Sequence, residues 1–526
     1  MKKLDVLFVN ANSSEINYQQ LSEKFSAIET PIWAGMLANH VRVKGFSTRI
    51  LDCEAERLDT LDSAKRIIDS DARLIVFVVQ GQNPNDSTPK MEGCTATSKM
   101  VKQMNSRQKI LFVGPHVAAL PRETLALEES VDFIAQNEGV YTISNLLQIE
   151  NLNDEFLLSK VKGLGYRTKD FQKKKKTLLI LSEETLNKET GIILNETESL
   201  VTKERLSTEL PGIAWDLLPP PTKYRTSSWH SWTNDTQHSP FASLYTSLGC
   251  PYQCTFCMIN ILNRTNNQPG IVSADSNVYR QWDTDFIIGQ FDKLAEMGVK
   301  NIKIADELFI LNKNYFLKLA KLLKERNYGF NIWCYSRVDT CKKEYLEPLK
   351  EAGVNWLGLG IENPDQVLRK DFVKGGFKEV RILDLMKEIQ DADICIGGNY
   401  IFGLPPDTKE SMENTLKFAL ENFTEYVNFY PSQALPGSPL HQQARQKGWK
   451  LPDRYAGYAM LSYHTENLRS DSLSAAEILK FRDDAYNTYW SNPDVLSKMK
   501  VKFGDKCIQN LIDTNNIKLK RKILAD

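Results

Sequence analysis

Ser247-Leu-Gly-Cys250-Pro-Tyr-Gln-Cys254-Thr-Phe-Cys257-Met-Ile-Asn260 gathers three of the chain's nine cysteines into one short segment. Cysteines spaced this closely on a loop bring three thiolates around one metal centre. A structural zinc site needs a fourth ligand, and its cysteines usually come as two Cys-x-x-Cys pairs. No second pair lies nearby, and the upstream His230 and His238 fall outside the usual spacing. Iron–sulfur clusters are held by thiolates at such short spacings. Three ligands on a four-iron cluster leave one iron open to a group that reacts. Three unrelated buried cysteines are the remaining reading.

Around this segment, residues 237–440 alternate short apolar runs with amphipathic helices. The strand candidates are Ala242–Tyr245, Asn301–Ala305, Phe330–Tyr335, Trp356–Gly360, Cys395–Phe402 and Tyr426–Tyr430. Between them, Phe316, Leu319 and Leu323 share one helical face, and Gly329 lies beyond that helix's end. Leu346 and Leu349 mark another helix, closed by Gly353. Six such units predict a partial barrel rather than the full eight-unit form. Barrel active sites are built at the carboxyl ends of strands. Asp306-Glu307, Ser336-Arg337-Val338-Asp339, Gly360-Ile361-Glu362-Asn363 and Gly403-Leu404-Pro405 stand at those ends.

Residues 1–150 carry the same β/α rhythm. Leu4–Val9, Thr48–Leu51, Leu74–Val79, Ile110–Val113 and Phe133–Ala135 are strand candidates, and Pro31 opens a helix bearing Trp33, Leu37 and Val41. This pattern predicts a doubly wound α/β domain with ligands in the crevice beyond the strand ends. Gln80 to Pro89 and Gly114 to Pro121 would lie there. Residues 151–236 break the rhythm and read as a linker with hairpins, using Leu178–Leu181 and Gly191–Leu194 as β-like stretches. The lysine run Lys173–Lys176 reads as a solvated turn. Residues 441–526 read as a C-terminal helical region.

Bulk composition sets limits. Sixty-six basic residues balance sixty-six acidic ones, which argues against nucleic acid and anionic membranes as partners. No apolar run approaches the length of a membrane span. The opening Met1-Lys-Lys-Leu-Asp-Val passes straight into a strand without a signal-peptide cleavage region, so the expected location is cytoplasmic. Scattered cysteines in that compartment stay reduced.

The Cys-x3-Cys-x2-Cys motif, with Phe256 before its last cysteine and a β/α barrel around it, resembles the radical S-adenosylmethionine (SAM) superfamily. The resemblance implies a [4Fe–4S] cluster on Cys250, Cys254 and Cys257, whose open iron chelates SAM. One electron then splits SAM to methionine and a 5′-deoxyadenosyl radical. It also implies SAM contacts from Asp306, Glu307, Ser336, Arg337 and Glu362, although Asp306-Glu307 replaces the family's common Gly-Gly-Glu. An electron donor such as flavodoxin or ferredoxin is implied as a partner.

A doubly wound domain ahead of such a barrel resembles the cobalamin-binding subclass. Pro31 to Phe46 with Ile50-Leu51-Asp52, and Gly114-Pro115-His116 through Glu138-Gly139, carry that likeness. Cobalamin domains of mutases carry Asp-x-His-x-x-Gly, whereas this chain reads Asn10-Ala-Asn-Ser-Ser-Glu. Many radical SAM relatives also lack that histidine. Gln80, Asn83, Ser87 and Thr88 are the candidate corrin contacts. His116 joins them as a residue expected to act as a loop hydrogen-bonder rather than a cobalt ligand.

The function implied is methylation of an unactivated carbon, or of phosphorus, in a small molecule. The alternatives are a cobalamin-associated cyclase or rearrangement enzyme and a non-catalytic iron–sulfur or zinc protein. Trp229, His230, Trp232, Tyr430, Gln433, Tyr455 and Tyr458 are the substrate-contact candidates.

Overall fold

Ala72-Arg-Leu-Ile-Val-Phe-Val78 is apolar at nearly every position because both of its faces are covered, as strands in a parallel sheet require. Leu74, Val76 and Val78 share a core with Trp33, Leu37 and Val41 of the helix Ile32–Val43. Ile75, Phe77 and Val79 share the opposite core with Ile67 of Thr60–Asp69 and Val101 of Met91–Met104. The structure is a computed structural model that describes residues 3–81, 83–169, 171, 191–228, 231–233, 238–264, 276, 278–372 and 382–526.

The first sheet contains β1 (Leu4–Asn10), β2 (Thr48–Asp52), β3 (Ala72–Val78), β4 (Lys109–Val113), β5 (Phe133–Ala135), β6 (Leu164–Arg167) and β7 (Ile192–Leu194). Its order is β2-β1-β3-β4-β5-β6-β7. Strands β1 to β5 pair in parallel, and β6 and β7 add on antiparallel. The sheet therefore runs past residue 150 into the segment read as a linker. Lys173–Lys176 and Leu178–Leu181 lie outside the described residues.

The second sheet is a six-stranded, all-parallel partial barrel, which fulfils the six-unit expectation. It is built from β8 (Phe241–Leu244), β11 (Asn301–Ile304), β12 (Asn331–Arg337), β13 (Val354–Glu362), β14 (Cys395–Phe402) and β15 (Tyr426–Pro431), in that spatial order. Between β8 and β11 a small antiparallel pair, β9 (Ser247–Leu248) and β10 (Arg280–Gln281), brackets the cysteine loop. Helices Ala475–Trp490 and Pro493–Asn515 follow the barrel, the latter kinked at Gly504 with φ +79°.

The C-terminal helices contribute to the barrel as well as following it. Phe503 stacks on Trp356 at 5.8 Å, and Trp356 lies 5.8 Å from Trp333. Strand alternation puts Trp333 and Trp356 on the same face as Arg337 and Glu362 at the other strand ends. The aromatic stack thus fills the base of the lumen and leaves its carboxyl end for chemistry. Two glycines make room for it. A Cβ on Gly397 would meet the Trp333 ring at 2.5 Å, and one on Gly358 would meet it at 2.9 Å. Gly397→Ala is therefore expected to overpack the base and cost about 1–3 kcal/mol, read as a lowered midpoint in thermal or denaturant unfolding.

Candidate active site

The three loop cysteines differ from the other six. Cys250, Cys254 and Cys257 are half-buried, whereas Cys53, Cys94, Cys334, Cys341, Cys395 and Cys507 are buried. Asn260 ties the loop's start to its end. It accepts from the Cys250 N–H at 2.9 Å and donates back to the Cys250 carbonyl at 2.6 Å. Gly249 enters the loop with φ +83°, where a Cβ would strike the Val278 carbonyl. The Cys257 N–H closes a turn onto the Cys254 carbonyl at 3.1 Å.

The thiols lie within electrostatic reach of one another, and burial holds them in the protonated form. Burial pushes Cys250 up to about 12 and Cys254 up to about 11, and raises Cys257 as well. Buried thiols ionise when a cation stands among them. Three thiolates with no second cysteine pair nearby in the sequence fit a four-iron cluster, which spreads its thiolates over three irons, better than zinc. His238 packs edge-on against Trp232, with ring centroids 4.7 Å apart, and shares a 2.7 Å hydrogen bond with Thr226; burial lowers it to about 4. His230 lies outside the described residues.

Arg337, at the end of β12, is the cation beside these thiols. Its guanidinium stacks 3.9 Å from the Tyr252 ring centroid, and its Nη1 lies 3.6 Å from Cys254 Sγ. Its other donors are held by Asp339 at 2.8 and 2.9 Å. Glu362 stands nearby, at a register break in the β13–β14 pairing and with φ +63°. Such backbone strain in a non-glycine residue clusters at functional sites. Gly360 leaves room for its carboxylate, since a Cβ there would lie 2.8 Å from Glu362 Oε1. Burial raises Glu362 to about 7.

The adjacent Asp306 and Glu307 separate into two roles. Asp306 accepts from the Thr246 N–H and from the Thr246 and Ser247 hydroxyls, each at 2.6 Å. Its carboxylate is spent bracing the strand that leads into the cysteine loop. Glu307 has a buried Oε2 without a hydrogen bond, and burial lifts it to about 8. Ser336 sits on the opposite strand face from Arg337, and its hydroxyl donates to the Arg337 carbonyl. The structure brings Glu307, Arg337 and Glu362 towards the cysteines, and leaves Asp306 and Ser336 in supporting positions.

Across the interface, Gln80 stands just past β3 in the crevice of the first sheet. It donates to the Tyr245 hydroxyl at 3.1 Å, while its buried Oε1 has no partner. It lines small cavities at the strand ends with Asn10, Tyr18, Glu29 and Asp86. Asn83 caps the Asn85 N–H at 2.9 Å. Ser87, Thr88 and His116 form a buried brace instead. The Ser87 hydroxyl donates to the Val79 carbonyl, and Thr88 and His116 share a 3.0 Å bond. His116 is the loop hydrogen-bonder expected, kept neutral because burial lowers it to about 3.

The aromatic substrate candidates scatter. Trp229 and His230 lie outside the described residues. Trp232 is buried, and its carbonyl accepts from the Trp356 indole at 3.1 Å. Tyr455 and Tyr458 line a separate 260 Å³ cavity with His116. Gln433 has a buried Nε2 without a partner. Tyr430 shares the lumen face of β15 with Tyr426 and Asn428. Sequence reading missed the buried Lys303–Glu29 pair at 2.9 Å, which joins β11 to the first domain, and it missed Asn85, which reaches Met258.

A radical SAM superfamily profile matches residues 244–419, and a B12 binding domain profile matches residues 21–147. An uncharacterised methyltransferase of Pyrococcus horikoshii is 24% identical over 472 residues, covering 89% of each chain. The hopanoid C-2 methylase of Rhodopseudomonas palustris is 29% identical over 290 residues, which is 51% of this chain and 53% of that one. The solved structure of the radical SAM methyltransferase TsrM from Kitasatospora setae, with cobalamin and a [4Fe–4S] cluster bound, superposes with a TM-score of 0.64 at 13% identity. That match covers 98% of this chain and 99% of the TsrM chain. The chain is a radical SAM enzyme with a B12-binding domain ahead of its barrel. Its cofactors are a [4Fe–4S] cluster, SAM and cobalamin.

Asn260→Ala is expected to free the Cys250 end of the loop. It should lower iron and sulfide content after anaerobic reconstitution by several-fold while leaving far-ultraviolet circular dichroism unchanged.

Proposed function

We propose that this enzyme transfers a methyl group to an unactivated carbon, or to phosphorus, of a small-molecule substrate held between the two domains. The observation that carries this reading is the junction itself. The loop bordering the crevice of the first sheet touches the cysteine loop through Asn85 and Met258 at 3.0 Å, so the two cofactor sites face each other across a short gap. In this reading the bound cofactors supply a 5′-deoxyadenosyl radical for hydrogen abstraction and a methyl group for transfer.

Within this reading Cys250, Cys254 and Cys257 hold the cluster, and Arg337 keeps positive charge against the Cys254 thiolate. Glu307, with its unbonded Oε2, accepts from the amino group of SAM, and Glu362 takes a ribose or amino contact. Gln80 meets the corrin's side-chain amides with its free Oε1. The cobalamin module comprises residues 1–150 together with the β6–β7 hairpin, the barrel spans 237–440, and 441–526 closes its base.

Cluster reduction needs an outside electron donor, for which a flavodoxin or ferredoxin is the expected class. Among the described residues no helix is long and apolar enough to cross a membrane, and all nine cysteines are free. Those thiols and the oxygen-sensitive cluster suit the reducing cytoplasm.

Two measurements test this reading. Incubation with methyl-labelled SAM, reductant and cobalamin should yield both 5′-deoxyadenosine and S-adenosylhomocysteine. 5′-Deoxyadenosine alone would favour a cyclase or rearrangement enzyme. Glu307, lifted to about 8, is mostly protonated at neutral pH, and it is the stronger acceptor for the SAM amino group when ionised. SAM affinity should therefore rise with pH by up to about tenfold per unit below that value. Glu307→Gln should weaken binding and flatten the profile, as read by equilibrium dialysis.

A further inference from the structure

Asn85 belongs to the first domain but faces the cysteine loop of the second. It stands in the single 3₁₀ turn Pro84–Asp86, whose start is capped by the Asn83 side chain. Its Oδ1 accepts from the Met258 N–H at 3.0 Å, and its Nδ2 lies 3.6 Å from Cys257 Sγ. The first contact fixes the second. A backbone N–H can only donate, so the carbonyl half of the amide must face Met258 and the NH₂ half is left towards the sulfur. A protonated Cys257 has the option of donating to Oδ1, at 3.7 Å. A thiolate ligand has no proton to give, so in the loaded protein the amide is the donor.

The next residue of the turn looks the other way. Asp86 lines a crevice cavity with Tyr18, Glu29 and Gln80. One short, proline-stiffened turn therefore presents Asn85 to the cysteine loop and Asp86 to the corrin side. Hydrogen bonds to sulfur are among the determinants of iron–sulfur reduction potential. An N–H donor favours the reduced, more electron-rich cluster, because charge added on reduction accumulates partly on the sulfurs.

We propose that Asn85 is a positioning residue that donates an N–H···S hydrogen bond to Cys257 and raises the reduction potential of the cluster. It thereby ties the cluster's readiness to accept an electron to the conformation of the cobalamin-side loop. The inference rests on the assignment of Cys257 as a cluster ligand.

The test is an EPR-monitored redox titration of the reconstituted, cobalamin-loaded enzyme. Asn85→Leu removes the donor at similar size without adding charge. Asn85→Asp keeps the acceptor for Met258 and lacks the donor. In both variants the midpoint should become more negative. The shift expected is roughly tenfold in the reduced-to-oxidised ratio at fixed potential, about 59 mV for one electron. The midpoint is read from whatever fraction of cluster assembles, so reduced occupancy does not obscure it. An unchanged midpoint in both variants, with or without lower iron content, would overturn the proposal and leave Asn85 a loop brace. A Cys257→Ala protein that still assembles the full cluster signal would instead sink the ligand assignment.

Discussion

Three half-buried thiols on one short loop ionise together only when positive charge is brought among them, and the architecture around residues 250–257 answers to that demand. Burial is the main force raising the Cys250 and Cys254 thiols, to about 12 and 11. Arg337 supplies one fixed positive charge, locked in place by Asp339 and by the Tyr252 ring. The cluster's iron supplies the rest. Everything close to the loop serves to hold it ready for that cargo: the Asn260 clamp, the Asp306 brace beneath Thr246 and Ser247, and the positive-φ entry at Gly249.

The same loop lies where the two sheets meet, against Ala118 and Ala119 of the first domain. The parallel sheet of the first domain and the six-stranded barrel each have their own reason to form, in apolar strands buried on both faces. Neither arrangement by itself decides how they meet. Their junction is apolar as well as polar: one core runs from Val6 and Trp33 to Trp333 and Trp356, Ala118 and Ala119 pack against Met258 and Ile261, and Lys303 pairs with Glu29 and Arg280 with Glu138, each at 2.9 Å. Buried ion pairs contribute little net stability against apolar packing, but breaking one leaves an uncompensated charge. Such pairs suit an interface whose register must be single-valued, because the spacing between two cofactor sites depends on it.

How much of this was legible in the sequence follows from the range of each interaction. The cysteine loop could be read because its ligands are neighbours in the chain. The barrel strands were equally legible, Cys395–Phe402 to the residue, because period and length are local signals. The division of labour between Asp306 and Glu307 was not legible: the two are adjacent carboxylates, and only the fold decides which one meets Thr246 and Ser247. Ser336 sits beside Arg337 in sequence, but strand alternation sends it to the other face. Asn85 and Glu29 escaped notice for a different reason. Their partners lie 172 and 274 residues away, and no local pattern marks a long-range polar contact.

The central claim is that three cysteines hold a four-iron cluster with one iron left open for SAM. Mössbauer spectroscopy of the enzyme reconstituted with ⁵⁷Fe tests it most directly. On adding SAM, about one quarter of the iron signal should move to the parameters of a site with higher coordination, while the thiolate-ligated remainder stays in place. A spectrum in which all the irons stay equivalent with SAM present would contradict the account.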